Sequence, residues 1–207
     1  MIGAIVWGGL AAASLLFGYF VGMMNPSNRL LGTVMGIGAG ALIAAIAYEL
    51  LPASVFDTPN VILAFALGAL CFFAGDCAID RRGGDDRKDL GGGSDEGSGA
   101  AIYIGTLLDN VPESIILGIG LAVGGAINVA FLAAVFVSNL PEGVAGTVNL
   151  TAAGYPRRKV LWMWTTLVVI SALFAGLGYL LVQWLPGTEG KMAEAFAAGA
   201  MLTMLAD

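Results

Sequence analysis

The chain contains no histidine. That absence removes the commonest general base and the commonest transition-metal ligand. Ser-His-Asp hydrolases, Cys-His nucleophile pairs and histidine-ligated zinc enzymes are excluded by inventory. Charge is scarce too: 12% of the 207 residues are charged, against about 25% in soluble domains. The nine Lys and Arg form no patch large enough for nucleic acid. The two cysteines, Cys71 and Cys77, stand six residues apart. On a helix that is about 9 Å along the axis, too far for a disulfide, so they read as small buried apolar residues. No Lys or Arg precedes the first apolar run, whereas a signal peptide has a basic start.

What remains is apolar: 58% of the chain is hydrophobic and the mean hydropathy is +0.86. A soluble fold of this size cannot hide so much apolar surface, whereas a bilayer removes the need to hide it. A helix crosses a bilayer with about 20 apolar residues. Seven spans read that way: Ile2 to Met24, Leu30 to Leu51, Val61 to Ile79, Ala101 to Val123, Asn128 to Leu150, Val160 to Trp184, and a seventh from about Met192. Asn25-Pro26, Pro52, Pro59, Gly124-Gly125, Pro156 and Pro186-Gly187 punctuate them. The expected fold is an all-α integral membrane protein, one transmembrane domain over residues 1–207 whose main partner is the lipid bilayer. The seventh span stops at Asp207 with no polar anchor, so the chain reads as a seven-helix portion of an eight-helix bundle.

Residues 80–99 differ from the rest, being rich in Gly, Asp, Arg and Ser. Such a segment buries nothing and is expected as a disordered loop. Its Asp85, Asp86, Asp89, Asp95 and Glu96 could at most collect metal weakly. Eight of the nine basic residues fall after the first, third or fifth span. Cytoplasmic loops are enriched in Lys and Arg, which makes 80–99 cytoplasmic and puts the N-terminus outside; the expected location is a plasma (inner) membrane.

Two segments share one pattern, Asp109-Asn110-Val111-Pro112-Glu113-Ser114 and Ser138-Asn139-Leu140-Pro141-Glu142-Gly143, offset by 29 residues. Each lies near the middle of its span, on antiparallel neighbours joined by a short turn, so the two can meet at one depth. Proline lacks the backbone N–H and clashes with the preceding turn. Pro112 therefore frees the carbonyl of Leu108, and Pro141 that of Val137. Freed carbonyls in hydrocarbon must line a cavity or bind something. An ionisable group at bilayer depth is rarer still and usually functional. Asp109 and Glu113 share a helix face, as do Ser138 and Glu142. Bringing the faces together gathers three carboxylates and a hydroxyl with no Lys or Arg at that depth. A cation, or protons, must compensate them.

The paired Asn-x-Pro-Glu motifs resemble those of the ZIP (Zrt/Irt-like) metal transporters. Gly36 to Pro52, GIGAGALIAAIAYELLP, is similar to that family's second helix, and Gly199 to Asp207 to the start of its seventh. The resemblance covers nearly the whole chain and seven of eight expected helices. It implies a homodimeric, elevator-like transporter of zinc, iron or manganese, with the metal ion as substrate, no organic cofactor and no enzymatic reaction. It implies a metal site at Asp109, Glu113, Ser138 and Glu142, with Asn110 and Asn139 toward an adjacent second site. Asp109 replaces the family's usual histidine, which leaves an all-oxygen site. Oxygen donors suit harder ions such as Mn²⁺, Fe²⁺ or Mg²⁺, and zinc also accepts carboxylates. The sixth span has no acid where the family has a glutamate, which argues against a two-metal centre. These departures also motivate a second expectation, a non-transporting ZIP-like metal-binding or sensor protein. An intramembrane hydrolase has no motif beyond acidity to support it.

Other polar residues carry milder expectations. Glu49 reads as interfacial, Asp76 and Asp80 as partners of Arg81 or Arg82, Glu194 as a helix-start residue favoured by the dipole, and Asn149 as polar glue between helices. Trp162, Trp164 and Trp184 read as interfacial anchors. The 31 glycines are expected to serve close helix packing.

Overall fold

A computed structural model describes residues 1–24, 26–50, 58–79, 81, 98–184 and 188–206. The described residues are helical throughout: α1 (Ile2–Ala12), α2 (Ser14–Gly22), α3 (Asn28–Ala45), a π-helical turn (Ile46–Leu50), α4 (Pro59–Ile79), α5 (Ser98–Gly124), α6 (Val129–Ala152), α7 (Arg157–Trp184) and α8 (Thr188–Ala206). Among the described residues, six helices are long and apolar enough to cross a bilayer, with α1 and α2 acting as one. The protein is a multi-pass membrane protein. The seventh helix, α8, starts four residues before the expected Met192. Its 19 residues reach about 28 Å, and Glu189, Lys191 and Glu194 place three charges near its start. The expected 80–99 loop lies outside the described residues, apart from Arg81 and the first turn of α5.

Local chemistry sets the ends. Ser27 caps α3 by accepting from the Leu30 amide, and Asn128 caps α6 by accepting from the Phe131 amide at 3.0 Å. Gly125 (φ +68°) turns the chain between α5 and α6, and Gly154 (φ +83°) closes α6; both conformations suit glycine. At Ala13 the chain stays right-handed, and Ser14 returns its hydroxyl to the Ala11 carbonyl at 2.7 Å, so α1 and α2 form one span.

Lipid tails are as apolar as leucine, so membrane helices associate by close packing rather than by hydrophobic expulsion. Glycines interlock the bundle as expected. A Cβ on Gly118 would overlap the Ala175 carbonyl, and one on Gly178 would overlap that of Ile115, so α5 and α7 lock reciprocally. Gly68 and Gly199 do the same for α4 and α8, against the carbonyls of Phe196 and Phe65. Gly18 and Gly143 bring α2 onto α6, and Gly38 of α3 faces the Val137–Ser138 backbone of α6. Outward faces carry Val6, Phe17, Phe20, Leu63, Leu70, Phe73 and Leu173, all well exposed, as lipid contact requires.

Several expectations change. Pro112 and Pro141 lie within continuous helices rather than breaking them. The Val137 carbonyl abuts Gly38. Trp164 is not an interfacial anchor. It is fully buried and donates its indole N–H to Thr147 Oγ1 at 2.8 Å, whereas Trp162 and Trp184 are exposed. Cys71 is exposed and Cys77 half-buried, both as free thiols. Neither belongs to the bundle core. Glu194 lies beyond the first turn of α8, too far in for the helix N-terminus to favour it. Asn149 and Asp76 are buried. Asp80, Arg82 and the Glu49 side chain lie outside the described residues.

Candidate functional site

The two motifs meet on adjacent faces of α5 and α6. Asp109, Asn110, Glu113 and Asn139 are each 1% exposed, Ser138 is buried, and Glu142 is half-buried. The asparagines make the junction: Asn139 Nδ2 donates to Asn110 Oδ1 at 3.2 Å. Asn110 in turn donates its Nδ2 to the Thr106 carbonyl one turn earlier, at 2.9 Å. That bond fixes which way the Asn110 amide points, leaving its oxygen aimed at α6. Thr106, itself buried and bonded to the Ile102 carbonyl, is a supporting residue the motif alone does not flag. Its signal is the i−4 spacing from Asn110, which puts the two on one face.

Glu113 is fully buried against Asn139 and Ser138. Ser138 has a single hydroxyl proton, and the Val135 carbonyl lies 3.0 Å away while Glu113 Oε1 lies at 3.5 Å. The shorter contact takes the proton, because an O–H···O contact of 3.5 Å is long. Glu113 Oε2 and Asn139 Oδ1 accept no hydrogen bond among the described residues. Buried polar atoms are normally satisfied, and leaving a carboxylate oxygen bare is expensive. Glu142 and Asp109 lie within electrostatic reach of Glu113 and add like charge. No Lys or Arg occurs between Ser98 and Ala152 to offset it.

Not every expected donor converges. Among the described residues, no three acidic or cysteine side chains gather closely enough to hold a metal ion. The motifs join through their amides, and the physics favours that: two amides attract, whereas like-charged carboxylates repel strongly at low dielectric. Glu142, with Ser138 and Pro141, faces a cavity of about 300 Å³ whose other walls are Met35, Gly36, Ala39 and Leu42 of α3 and Met204 and Leu205 of α8. Open space thus borders the α6 motif on one side.

No protein-family model matches the chain, and no curated protein matches it. Buried Glu113 and half-buried Glu142 at matched positions, with oxygen acceptors around them and a cavity beside Glu142, form a polar cluster inside an otherwise apolar bundle. Its donors are oxygen throughout: carboxylates, a hydroxyl and amide carbonyls. Such a set suits hard or borderline divalent ions.

Proposed function

We propose that the protein carries divalent metal ions, of the zinc, iron or manganese kind, across a membrane through a site built on Glu113 and Glu142. The observation that carries this reading is the Asn110–Asn139 bond at 3.2 Å, which holds two copies of one acidic motif at a common depth. An ionised carboxylate at the bilayer centre costs about 3 kcal/mol. Two or three of them on adjacent helices need a counter-charge, and an ion in transit supplies it. Glu113, Glu142 and Asp109 would exchange for its water shell, with Ser138 Oγ and the Asn139 and Asn110 carbonyls as neutral donors. The all-oxygen set favours manganese and iron over ions that prefer imidazole.

The chain would then be a divergent relative of the ZIP family. The helix groups are compatible with that reading: α1, α2, α3, α5, α6 and α7 pack together, with α4 and α8 paired beside them against α5. Sliding of one unit past the other would alternate access, and a homodimer would steady the outer unit. The basic residues Arg29, Arg157, Arg158 and Lys159 argue for an N-terminus outside the cytoplasm in a plasma or inner membrane.

The test is ⁵⁴Mn uptake into proteoliposomes. Glu113→Gln and Glu142→Gln should each lower the uptake rate at least tenfold. Unchanged uptake in both variants refutes the proposal. One observation favours a second reading, a metal-binding sensor without flux: the motifs are joined by neutral amides, and the described carboxylates do not gather in threes. Stoichiometric Mn²⁺ binding without uptake would select it.

A further inference from the structure

Helices α3 and α8 carry one repeated pattern. Ala39-Gly40-Ala41-Leu42-Ile43 recurs as Ala198-Gly199-Ala200-Met201-Leu202, an offset of 159 residues. Their neighbours repeat as well. Ser14, Leu16 and Phe17 of α2 recur as Ser171, Leu173 and Phe174 of α7, and α5 and α6 hold the two acidic motifs. On the inner faces burial follows the repeat: Leu42 with Met201, and Ala45 with Met204, belong to one core cluster.

The outer faces differ. In α8, Ala195 is buried against Val61 and Ala64 of α4, and Gly199 sits on the Phe65 carbonyl of α4. Their counterparts in α3, Gly36 and Gly40, are exposed with nothing within 4 Å. The acids follow the same division. Glu113 is fully buried, whereas its counterpart Glu142 is half-buried beside the hollow of about 300 Å³ that Gly36 and Ala39 help to wall. Helix α4 covers one half of the repeat, and no described helix covers the other.

The locks already present indicate what fits α3. Each sets a glycine on the carbonyl three residues before the partner glycine: Gly68 on Phe196 and Gly199 on Phe65, Gly118 on Ala175 and Gly178 on Ile115. Both locks join parallel helices, because contacts advance together along the two partners. Val61 packs beside Ala195 and Phe65 meets Gly199, while Tyr103 bonds Thr166 and Gly118 meets Ala175. Helix α3 presents the same pair outward, Gly40 and the Ile37 carbonyl, and extends the gap through Gly36 to Gly32. Three turns without side chains let a second backbone approach closely, which is what drives association in lipid. Among the described residues, Gly120 of α5 also has open space, but it faces a hollow of about 370 Å³ shared with Phe131 and Glu194. The outward half-lock therefore belongs to α3, and its complement is a second α3. A two-fold axis along the membrane normal makes the two helices parallel and each contact reciprocal.

We infer that α3 is the contact face of a homodimer, in which Gly40 of one copy packs on the Ile37 carbonyl of the second and the partner's α3 roofs the hollow beside Glu142. The second α3 then takes the place over α3 that α4 takes over α8. Glu142 gains the cover that Glu113 already has. The inference rests on the repeat and the open glycines, and it stands with or without the transport reading.

Cross-linking and fluorescence energy transfer between copies of the purified full chain in liposomes test it. In a Cys71→Ser/Cys77→Ser background, Ile37→Cys should form a disulfide-linked dimer on oxidation, while Leu63→Cys on the outward face of α4 should not. Gly36→Ile/Gly40→Ile should weaken self-association about tenfold through overpacking at the contact, while Leu70→Ile leaves it unchanged. Neither glycine has a neighbour to displace within one copy, so the thermal unfolding midpoint in detergent at monomeric dilution should stay put. Cross-linking through Leu63→Cys in place of Ile37→Cys, or energy transfer unaffected by the glycine pair, overturns the α3 face. A wild type that stays monomeric at every protein-to-lipid ratio overturns it too, and leaves α3 to a helix of another chain. Metal uptake is not read in these measurements, so its absence refutes the transport reading alone.

Discussion

Asn139 donates its side-chain amide to Asn110 Oδ1 across 3.2 Å, joining the residues that occupy the same place in two copies of one motif. The bond is buried at both ends, so water cannot replace it. It sets the register of α5 against α6 and thereby the relative height of Glu113 and Glu142. Were the two helices to slip by one turn, the glutamates would part by about 5 Å. The asparagines therefore act as the ruler of the site, whatever they also offer to an ion.

Removing that ruler should be measurable. Asn139→Ala strands Asn110 Oδ1, and a buried acceptor left without its donor costs about 1–3 kcal/mol. Asn110→Ala should cost as much, since it also abandons the Thr106 carbonyl. The Asn110→Ala/Asn139→Ala variant should lose less than the two singles together, with a coupling of about 0.6 kcal/mol, the average for side-chain bonds within membranes, and at most about 1.7 kcal/mol. Reversible unfolding in mixed micelles measures it. Strict additivity would mean that the amide bond contributes nothing to the register.

Glu113 is buried beside two other acids, Glu142 and Asp109. Glu113→Gln removes a desolvated charge, relieves its repulsion with Glu142 and Asp109, and keeps the side-chain shape. The expected result is a metal-free protein more stable by about 1 kcal/mol or more, given the roughly 3 kcal/mol that a mid-bilayer carboxylate costs. The same variant should lose the stabilisation that MnCl₂ gives the wild type, because a ligand stabilises only what it binds. Thermal unfolding with and without MnCl₂ checks both halves. A variant that is destabilised and still responds to Mn²⁺ contradicts the role given to Glu113.

Much of this was legible before any coordinates, for identifiable reasons. The spans follow from unbroken apolar runs such as Val160 to Trp184, where length alone decides. The pairing of the motifs follows from their matched offset and a short intervening turn, and the Asn110–Asn139 bond meets that expectation. Side-chain facing was less legible. Trp164 looks like its exposed neighbour Trp162 in sequence, but it lies two residues on and so on another side of the helix, where Thr147 waits across the interface. Proline was over-read: Pro112 and Pro141 suggest breaks, yet both helices run on through them, as membrane bundles allow. Glu194 was read from its place along α8, and only packing against the α5–α6 end reveals the hollow it lines.

The glycine locks predict a position-specific response to a single methyl group. Gly118→Ala puts a Cβ into the Ala175 carbonyl, and backbone cannot swing aside as a side-chain tip can. Overpacking of this kind costs about 1–3 kcal/mol. Gly178→Ala should match it from the other side of the α5–α7 contact. Gly36 and Gly40 of α3 have nothing within 4 Å, so alanine there should be neutral or slightly stabilising in the monomer, through higher helix propensity. Unfolding midpoints of the four variants make the comparison. Equal losses at Gly36 and Gly118 would show that glycine flexibility, not close approach, matters.

Ion preference offers the last test, because it depends on donor chemistry rather than on stability. Asp109 is 1% exposed and acts on Glu113, so on the transport reading a change there would alter the donor set beside the glutamate pair. Asp109→His replaces a hard carboxylate with an imidazole and removes one of three negative charges. Imidazole suits zinc better than it suits manganese, which prefers carboxylate, carbonyl and water. With less negative charge, overall affinity for hard ions should fall, while zinc regains what it loses through the softer nitrogen. The expected outcome is a ratio of zinc to manganese uptake raised about tenfold, corresponding to about 1.4 kcal/mol of altered preference. Asp109→Asn controls for charge loss alone: it should depress manganese and zinc together. A parallel drop in both metals for Asp109→His would place Asp109 outside the coordination shell and confine the site to Glu113, Glu142 and their neutral neighbours.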